Sequence, residues 1–474
     1  MNQQTLLGTF ALTLSLTLTA QATTKNEILV KLAAPISVQS LSQTMEAAGL
    51  KAEPVFGQWV KIDLASTKTM AMQNRIQNFL NSSSVIYSQP NFKLNVFRNP
   101  SVTSAMKAQA AVKEDIDPAA GEIRDNPAIP SVPSQTAGKD PQMAKQWGML
   151  DNGVEAAWKI NTGAPIIVAV IDTGVDYTHE DLVGQMWRNT KEIADNNIDD
   201  DNNGYVDDIV GWDMLSDDNK PYDMYSSNLM DILNGANPGH GTHCAGSIGA
   251  AVNNSKGIVS VAPNTKIMAI RFIGDEGGTT TAAVKGIKYA VDNGAKILSN
   301  SWGSEGEDSE NPDENKMLVE AIQYAMDHDV LFIAAAGNSS RNNDTDKLKA
   351  YPASYEHENI VAVAAIDSAN RIASFSNFGA KSVDLGAPGV KIMSTVPGSR
   401  YQDAISEILG ANWDGTSMAA PYVAGAAALY WSSHPGKNFK EVKDAILASV
   451  KPIAGLTGKT LTGGKLSVEE LMKK

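Results

Sequence analysis

Four short stretches hold residues that can do chemistry together. Val170-Ile171-Asp172-Thr173-Gly174 ends an apolar run in a carboxylate, and Gly239-His240-Gly241-Thr242-His243-Cys244-Ala245-Gly246 sets an imidazole among glycines. Ala334-Ala335-Ala336-Gly337-Asn338 ends a second apolar run in an amide, and Gly415-Thr416-Ser417-Met418-Ala419-Ala420-Pro421 carries a serine. A serine hydroxyl is a poor nucleophile at neutral pH. It needs a histidine to take its proton and an acid to hold that histidine in one tautomer. Asp172, His240 and Ser417 supply those groups in that chain order, each beside glycines that let a second backbone approach. The apolar, Ala-rich run from Met418 to Trp431 predicts a buried helix with Ser417 at its N-terminus, where backbone donors and the helix dipole favour developing negative charge. Asn338, at the carboxyl end of a strand, can donate to the oxyanion of a tetrahedral intermediate. Any one of these glycine-flanked motifs alone reads as an ordinary strand-end turn; the four together suit acyl transfer through Ser417.

The elements that must position them alternate in type. Short apolar strands are predicted at Ile166 to Ile171, Lys266 to Ile273, Lys296 to Asn300, Val330 to Ala336 and Ile360 to Ile366. Helical spacing occupies Thr281 to Asn293, with Val284, Ile287 and Val291 on one face, and Asn315 to Asp327, with Leu318, Ile322 and Ala325. Strands apolar throughout, separated by amphipathic helices, indicate an α/β fold with a parallel sheet covered on both sides. In such sheets, ligands bind outside the carboxyl ends of the strands, which is where Asp172 and Asn338 fall.

The order Asp, His, Ser is that of subtilisin; it differs from the chymotrypsin and α/β-hydrolase orders, and Gly-x-Ser-x-Ala is not the Gly-x-Ser-x-Gly elbow of esterases. Over residues 140 to about 450 the chain resembles the subtilases, in motif style their thermitase and proteinase K branches. The resemblance implies a subtilisin-like parallel sheet with helices on both faces, preceded by a small α+β propeptide domain. It implies a serine endopeptidase acting on polypeptide substrates, with Asp172 as orienting acid, His240 as general acid and base, Ser417 as nucleophile and Asn338 as oxyanion donor, leaving His243 structural. Ser301-Trp302-Gly303 resembles the family's segment that pairs with the substrate backbone, and Ala350, in Ala350-Tyr351-Pro352, matches the base of the pocket for the side chain before the scissile bond. Ala350 is uncharged, so an apolar or aromatic side chain is expected there rather than a basic one.

The first 22 residues read as an export signal: Leu6 to Ala20 is apolar and free of charge, and Ala20-Gln21-Ala22 is a small-x-small cleavage pattern, although Met1 to Thr5 contain no Lys or Arg. A secreted, extracellular or periplasmic product is expected, without a membrane anchor and monomeric. Residues 23 to 96 form small-domain material, with predicted strands at Ile28 to Leu32, Gln58 to Leu64 and Ser84 to Val96 and predicted helices at Leu41 to Ala48 and Thr69 to Phe79. This zone is similar to the subtilase propeptide, especially at Val85-Ile86-Tyr87-Ser88-Gln89-Pro90-Asn91, which implies a folding chaperone that afterwards serves as intramolecular inhibitor. Residues 97 to 139, with Pro, Ala, Ser and mixed charge but no periodicity, read as a mobile linker, and 140 to 474 as the peptidase domain.

A net charge of −14 argues against nucleic-acid partners, since phosphate recognition rests on Lys and Arg. The acidity is concentrated: eleven Asp and a single basic residue, Lys220, lie between Asp195 and Asp231. Within it, Asp199, Asp201, Asn203, the Tyr205 carbonyl and Asp208 place oxygens at alternate positions around Gly204, as in the first half of a calcium loop, though Val210 stands where an EF-hand has its Glu. The bland alternative is a solvated acidic loop. The family resemblance implies a second calcium site at Asp140, Asp181 and Asn254. Cys244, the chain's single cysteine, rules out an intrachain disulfide and reads as a buried small hydrophobe; an exported chain then relies on its core, on metal, or on both. His179, His328, His357 and His434 lack motif context and read as ordinary surface or packing residues.

Overall fold

The computed structural model describes residues 23–33, 51–64, 78–97, 99–100, 128–131, 138–223, 239–305, 315–401 and 412–474. The export segment, the expected helix at Leu41 to Ala48, most of that at Thr69 to Phe79 and most of 97 to 139 lie outside them.

Four strands come first: β1 (Thr23–Leu32), β2 (Lys51–Phe56), β3 (Trp59–Asp63) and β4 (Val85–Val96). The body follows with β5 (Ile167–Asp172), β6 (Gly211–Asp213), helix α1 (His240–Gly249), β7 (Lys266–Arg271), β8 (Gly278–Thr279) and α2 (Thr280–Asp292). Next come β9 (Ile297–Asn300), β10 (Trp302–Glu305), α3 (Lys316–Asp327), β11 (Leu331–Ala335), β12 (Ala350–Tyr351), β13 (Ile360–Ile366) and β14 (Leu385–Pro388). Toward the C-terminus come α4 (Thr416–Ser433), β15 (Lys451–Pro452) and β16 (Gly464–Lys465), with further helices at Phe439–Ala448 and Val468–Leu471.

Among the described residues, the body's sheet runs β15-β16-β14-β13-β11-β9-β5-β7-β6 and is parallel except for the β15–β16 pair. Apart from the edge strand β15, its strands are buried on both faces. In β5, Val168 and Val170 pack into a cluster with Ile248 of α1 and Val423 of α4, while Ala169 and Ile171 pack into another with Ile287 of α2 and Leu318 of α3. Such double burial is why these strands read as unbroken apolar runs. Helix α4 is buried from Thr416 to Trp431, and its many Ala residues and Gly425 let the sheet and α1 close on it from every side.

The N-terminal strands make a second, antiparallel sheet in the order β2-β3-β1-β4-β10-β12, with β8 also against β4. One face, with Leu29, Trp59, Leu94 and Val96, joins the cluster of α2 and α3; the other, with Val30, Leu32, Val60 and Ile62, forms a small core of its own. Strand β2 has no counterpart in the sequence reading, because Lys51, Glu53 and Pro54 break its pattern; it is an edge strand, where proline is tolerated.

Candidate active site

Asp172 is the last residue of β5 and His240 the first of α1. They meet because Gly241 has no side chain: a Cβ there would lie 2.1 Å from the Gly174 carbonyl oxygen. His240 Nδ1 donates to Asp172 Oδ1 at 2.7 Å, with both residues wholly buried. Burial opposes the imidazolium, but the Asp172 carboxylate outweighs it and holds His240 well above its ordinary value of 6.5. His240 Nε2 is buried and makes no hydrogen bond.

Ser417 occupies the first turn of α4, as the Ala-rich run predicts. Its hydroxyl donates to the Ser301 carbonyl at 3.0 Å, and Ser301 Oγ donates back to the Ser417 carbonyl at 2.9 Å. Asn338 follows β11, and its Oδ1 accepts from the N–H and the hydroxyl of Thr416, each at 2.9 Å. That fixes which way the amide points. A Cβ on Gly415 would come within 3.2 Å of Asn338 Nδ2 and 3.5 Å of Met418 Sδ, so these groups bound one small space beside Ser417. A carbonyl oxygen turning into an oxyanion there would meet an amide N–H₂ and a helix N-terminus.

The residues around these three behave as packing groups. His243 Nε2 bonds the Ile392 carbonyl at 3.1 Å, its ring stacks on Trp413 at 4.5 Å, and burial pushes it down to about 3. Cys244 is buried, with Sγ 3.5 Å from the Ser417 carbonyl and 4.0 Å from His240 Nδ1, and burial raises its thiol. His179 is buried against Tyr401 and contacts the Arg400 carbonyl.

One acidic residue the sequence reading passed over sits behind the pair. Asp223 is fully buried and accepts from Thr173 Oγ1 at 2.9 Å, from Thr242 N at 2.8 Å and from Thr242 Oγ1 at 2.7 Å. It thus ties the residue after Asp172 to the first turn of α1. Its place in an Asp-rich run hid it, because nothing in the sequence separates it from solvated neighbours.

The expected substrate residues come together. Trp302 and Gly303 of β10 pair with Val96 and Asn95 of β4, and Ser304 and Glu305 pair with Tyr351 and Ala350 of β12. Phe97 and Asn99, read as the start of a mobile linker, are instead seated: 4% and 7% exposed, with Asn99 Nδ2 donating to the Asn412 carbonyl at 2.9 Å.

The acidic loop is tightly organised. Asp199 and Asp201 each accept from the N–H of Asn203, at 3.0 and 3.1 Å, and Asn203 Oδ1 accepts from the N–H of Tyr205 at 2.8 Å. The group whose carboxylate oxygens lie within 4.8 Å of one another is Glu192, Asp199 and Asp201. Glu192 was not foreseen, since it precedes the loop. Asp208 accepts from Tyr289 Oη at 2.6 Å, Asn189 Nδ2 at 2.7 Å and Asn203 Nδ2 at 3.1 Å, and burial raises it to about 6. The ring of Tyr205 packs edge-on to Trp212 and Tyr289. Three convergent carboxylates are a hard oxygen donor set that fits calcium. At the other acidic place, Asn254 Nδ2 donates to Asp181 Oδ1 at 2.7 Å while Asp140 accepts from Asn253 N and Asn254 N at 2.7 and 3.0 Å. Burial, and then the Asp181 charge, raise Asp140.

Fold and site together are those of a subtilisin-like α/β protein with an Asp–His pair and a serine at a helix N-terminus. The model of the subtilase family matches residues 163–466, and the chain belongs to that family. A thermophilic serine proteinase of Bacillus sp. strain AK1 is 36% identical over 324 residues, covering 68% of this chain and 65% of the relative. Thermitase of Thermoactinomyces vulgaris is 34% identical over 325 residues, covering 68% of this chain and 94% of thermitase. Among solved structures, fervidolysin from Fervidobacterium pennivorans, described as a keratinolytic enzyme related to subtilisin, superposes with a TM-score of 0.66 at 27% identity. That match covers 96% of this chain and 62% of fervidolysin, so the chain spans somewhat under two thirds of that relative's length.

Proposed function

We propose that this chain is a secreted, calcium-stabilised serine endopeptidase, made as a self-processing zymogen. In this reading His240 takes the proton of Ser417, Asp172 orients and stabilises the resulting imidazolium, and Ser417 Oγ attacks a peptide carbonyl. Asn338 and the N-terminus of α4 hold the oxyanion, His240 returns the proton to the leaving amine, and water releases the acyl group by the same steps. Residues 1–22 are the export signal, 23–96 the inhibitory propeptide and 140–474 the peptidase. Calcium at Glu192, Asp199 and Asp201, and at Asp140 and Asp181, would neutralise clustered carboxylates and stiffen their loops.

The observation that carries the reading is β4, a polypeptide strand lying in antiparallel register between β8 and β10, the latter preceded by Ser301, whose carbonyl accepts from the Ser417 hydroxyl. A cleft that binds backbone as a sheet suits many peptide sequences. The family match and the named proteinases support the activity. Among the described residues no helix is long and apolar enough to cross a membrane.

The test is digestion of an unfolded protein by the purified product, together with labelling by a fluorophosphonate. Ser417→Ala should remove the label and lower turnover by roughly 10⁶, the size of the effect in subtilisin. A Ser417→Ala chain that still digests protein, free of other peptidases, would overturn the assignment.

A further inference from the structure

The seated strand also shows which bond the site addresses first. Strand β4 pairs Val96 with Trp302 and Asn95 with Gly303. Carried on by one residue, that antiparallel register sets Phe97 opposite Ser301, whose carbonyl holds the Ser417 hydroxyl at 3.0 Å. Beyond Phe97, Asn99 Nδ2 donates to the carbonyl of Asn412, shortly before α4. Register and contact together bring Phe97 to the segment that holds the Ser417 hydroxyl.

Side-chain placement selects the same residue. Leu94 and Val96 belong to the cluster of Trp302 and α2, whereas Phe97 belongs to the cluster that contains Ala350 and Met418. The ring tip lies against the bare face of Gly303: a Cβ there would come within 2.7 Å of Phe97 Cζ. Phe97 is only 4% exposed although it follows the last residue of a strand and precedes a segment without apolar periodicity. An aromatic ring buried at the end of a strand, beside a serine at a helix N-terminus, fills a pocket.

We propose that the chain cuts itself at the peptide bond on the carboxyl side of Phe97, the residue whose ring fills the space beside Gly303. This rests on the reading of Ser417 as nucleophile. Ser417 Oγ adds to the Phe97 carbonyl carbon as its proton passes to His240; the bond to the nitrogen of residue 98 then breaks, and that nitrogen takes the proton from His240. Water, giving a proton to His240, attacks the Phe97 ester and frees the Phe97 carboxylate, and His240 returns the proton to Ser417. The new carboxyl end stays paired with β8 and β10, so the first product is the enzyme with its own N-terminal sheet still in the cleft.

Two measurements test this. In the full chain, the first N-terminal fragment to form, read by intact mass, should end at Phe97; Phe97→Leu should preserve that cut, and Phe97→Asp should slow it by on the order of 10² because a carboxylate would enter an apolar pocket. A synthetic peptide of residues 92–102, given to the active enzyme, removes folding of the variant from the question. It should be cut after Phe97, and its Phe97→Asp form should be a poorer substrate by a similar factor. A first fragment ending elsewhere, or equal cleavage of the two peptides, overturns the proposal. Fluorophosphonate labelling of the same samples separates this failure from failure of the nucleophile itself.

Discussion

The two sheets use strand-forming sequence in opposite ways. In the body, β5 is buried along nearly its whole length, with one helix pair under each face. In the N-terminal sheet, β4 alternates between buried and open positions. Its inner face is completed only by α2 and α3, while the private core is reduced to Val30, Leu32, Val60 and Ile62 with their neighbours. The polar contacts follow the same division. Gln89 Oε1 accepts from Met317 N at 3.2 Å, and Asn91 Oδ1 accepts from Thr281 N at 3.1 Å, so residues of β4 cap the first turns of α3 and α2. One region owns its core and carries the chemistry. The other borrows part of its burial from the first, which suits the proposed propeptide.

If that division holds, changes in the body's site should alter chemistry while leaving docking intact. The largest such effect should come from Asp172→Asn, with turnover lower by on the order of 10⁴ through the wrong tautomer of His240. The acid limb of activity gives a second readout. His240 must be neutral to act as base, and Asp172 raises it above 6.5, so activity is lost as pH falls through that raised value. In Asp172→Asn the main group opposing burial is gone, and the inflection should move to lower pH; an unmoved inflection would mean that another group sets the acid limb. Asn338→Ala should lower turnover by about 10² to 10³ with little change in substrate affinity, the loss typical of one oxyanion donor in subtilisin. Turnover near normal would remove Asn338 from the mechanism.

Legibility in the sequence followed the same boundary. Asp172, His240, Asn338 and Ser417 could be found because each ends or begins an element and sits among glycines, so type, order and local pattern agree. The five long body strands were legible because double burial makes them continuously apolar. Strands β6 and β14 were not, since a few residues containing Gly or Pro carry no period. Asp223 and Glu192 stayed hidden because their partners, Thr242 and the acidic loop, are brought to them only by the fold. Phe97 was hidden for a related reason: its pocket belongs to the body, while its sequence surroundings are those of a linker.

Metal should act on the body's stability and hardly on its chemistry. A cation that binds only the folded form at a hundredfold excess over its Kd adds about 2.7 kcal/mol, which is roughly 5 °C in Tm for a domain of this size. Chelation should remove that gain. Glu192→Gln combined with Asp201→Ala should remove most of the share due to the acidic loop, and Asp208→Asn much less, since Asp208 is committed to Tyr289, Asn189 and Asn203. If the Glu192 and Asp201 double variant keeps the whole calcium-dependent gain in a calorimetric scan, that loop binds no stabilising metal.

The smallest effect tests the borrowed face. Glu320 of α3 takes Lys31 Nζ at 2.6 Å on one carboxylate oxygen and Trp59 Nε1 at 2.9 Å on the other. The two contacts differ in worth. The side chains of Lys31 and Glu320 are 25% and 36% exposed, and ion pairs so open to solvent contribute little. Trp59 is 1% exposed, so losing its acceptor leaves a buried N–H unpaired, at a cost of about 1–3 kcal/mol. Glu320→Ala should therefore loosen the docked sheet by about tenfold or somewhat more, and Lys31→Ala only a few-fold at most. The quantity to follow is the lag between the first self-cleavage and the appearance of activity, which should shorten more in Glu320→Ala than in Lys31→Ala. Turnover after the N-terminal fragment has been degraded should equal wild type in both, because neither residue touches Ser417, His240 or Asn338. A shortened lag with unchanged turnover would separate the two regions as described; a lag unmoved by Glu320→Ala would mean that β4 and its caps alone hold the N-terminal sheet in place.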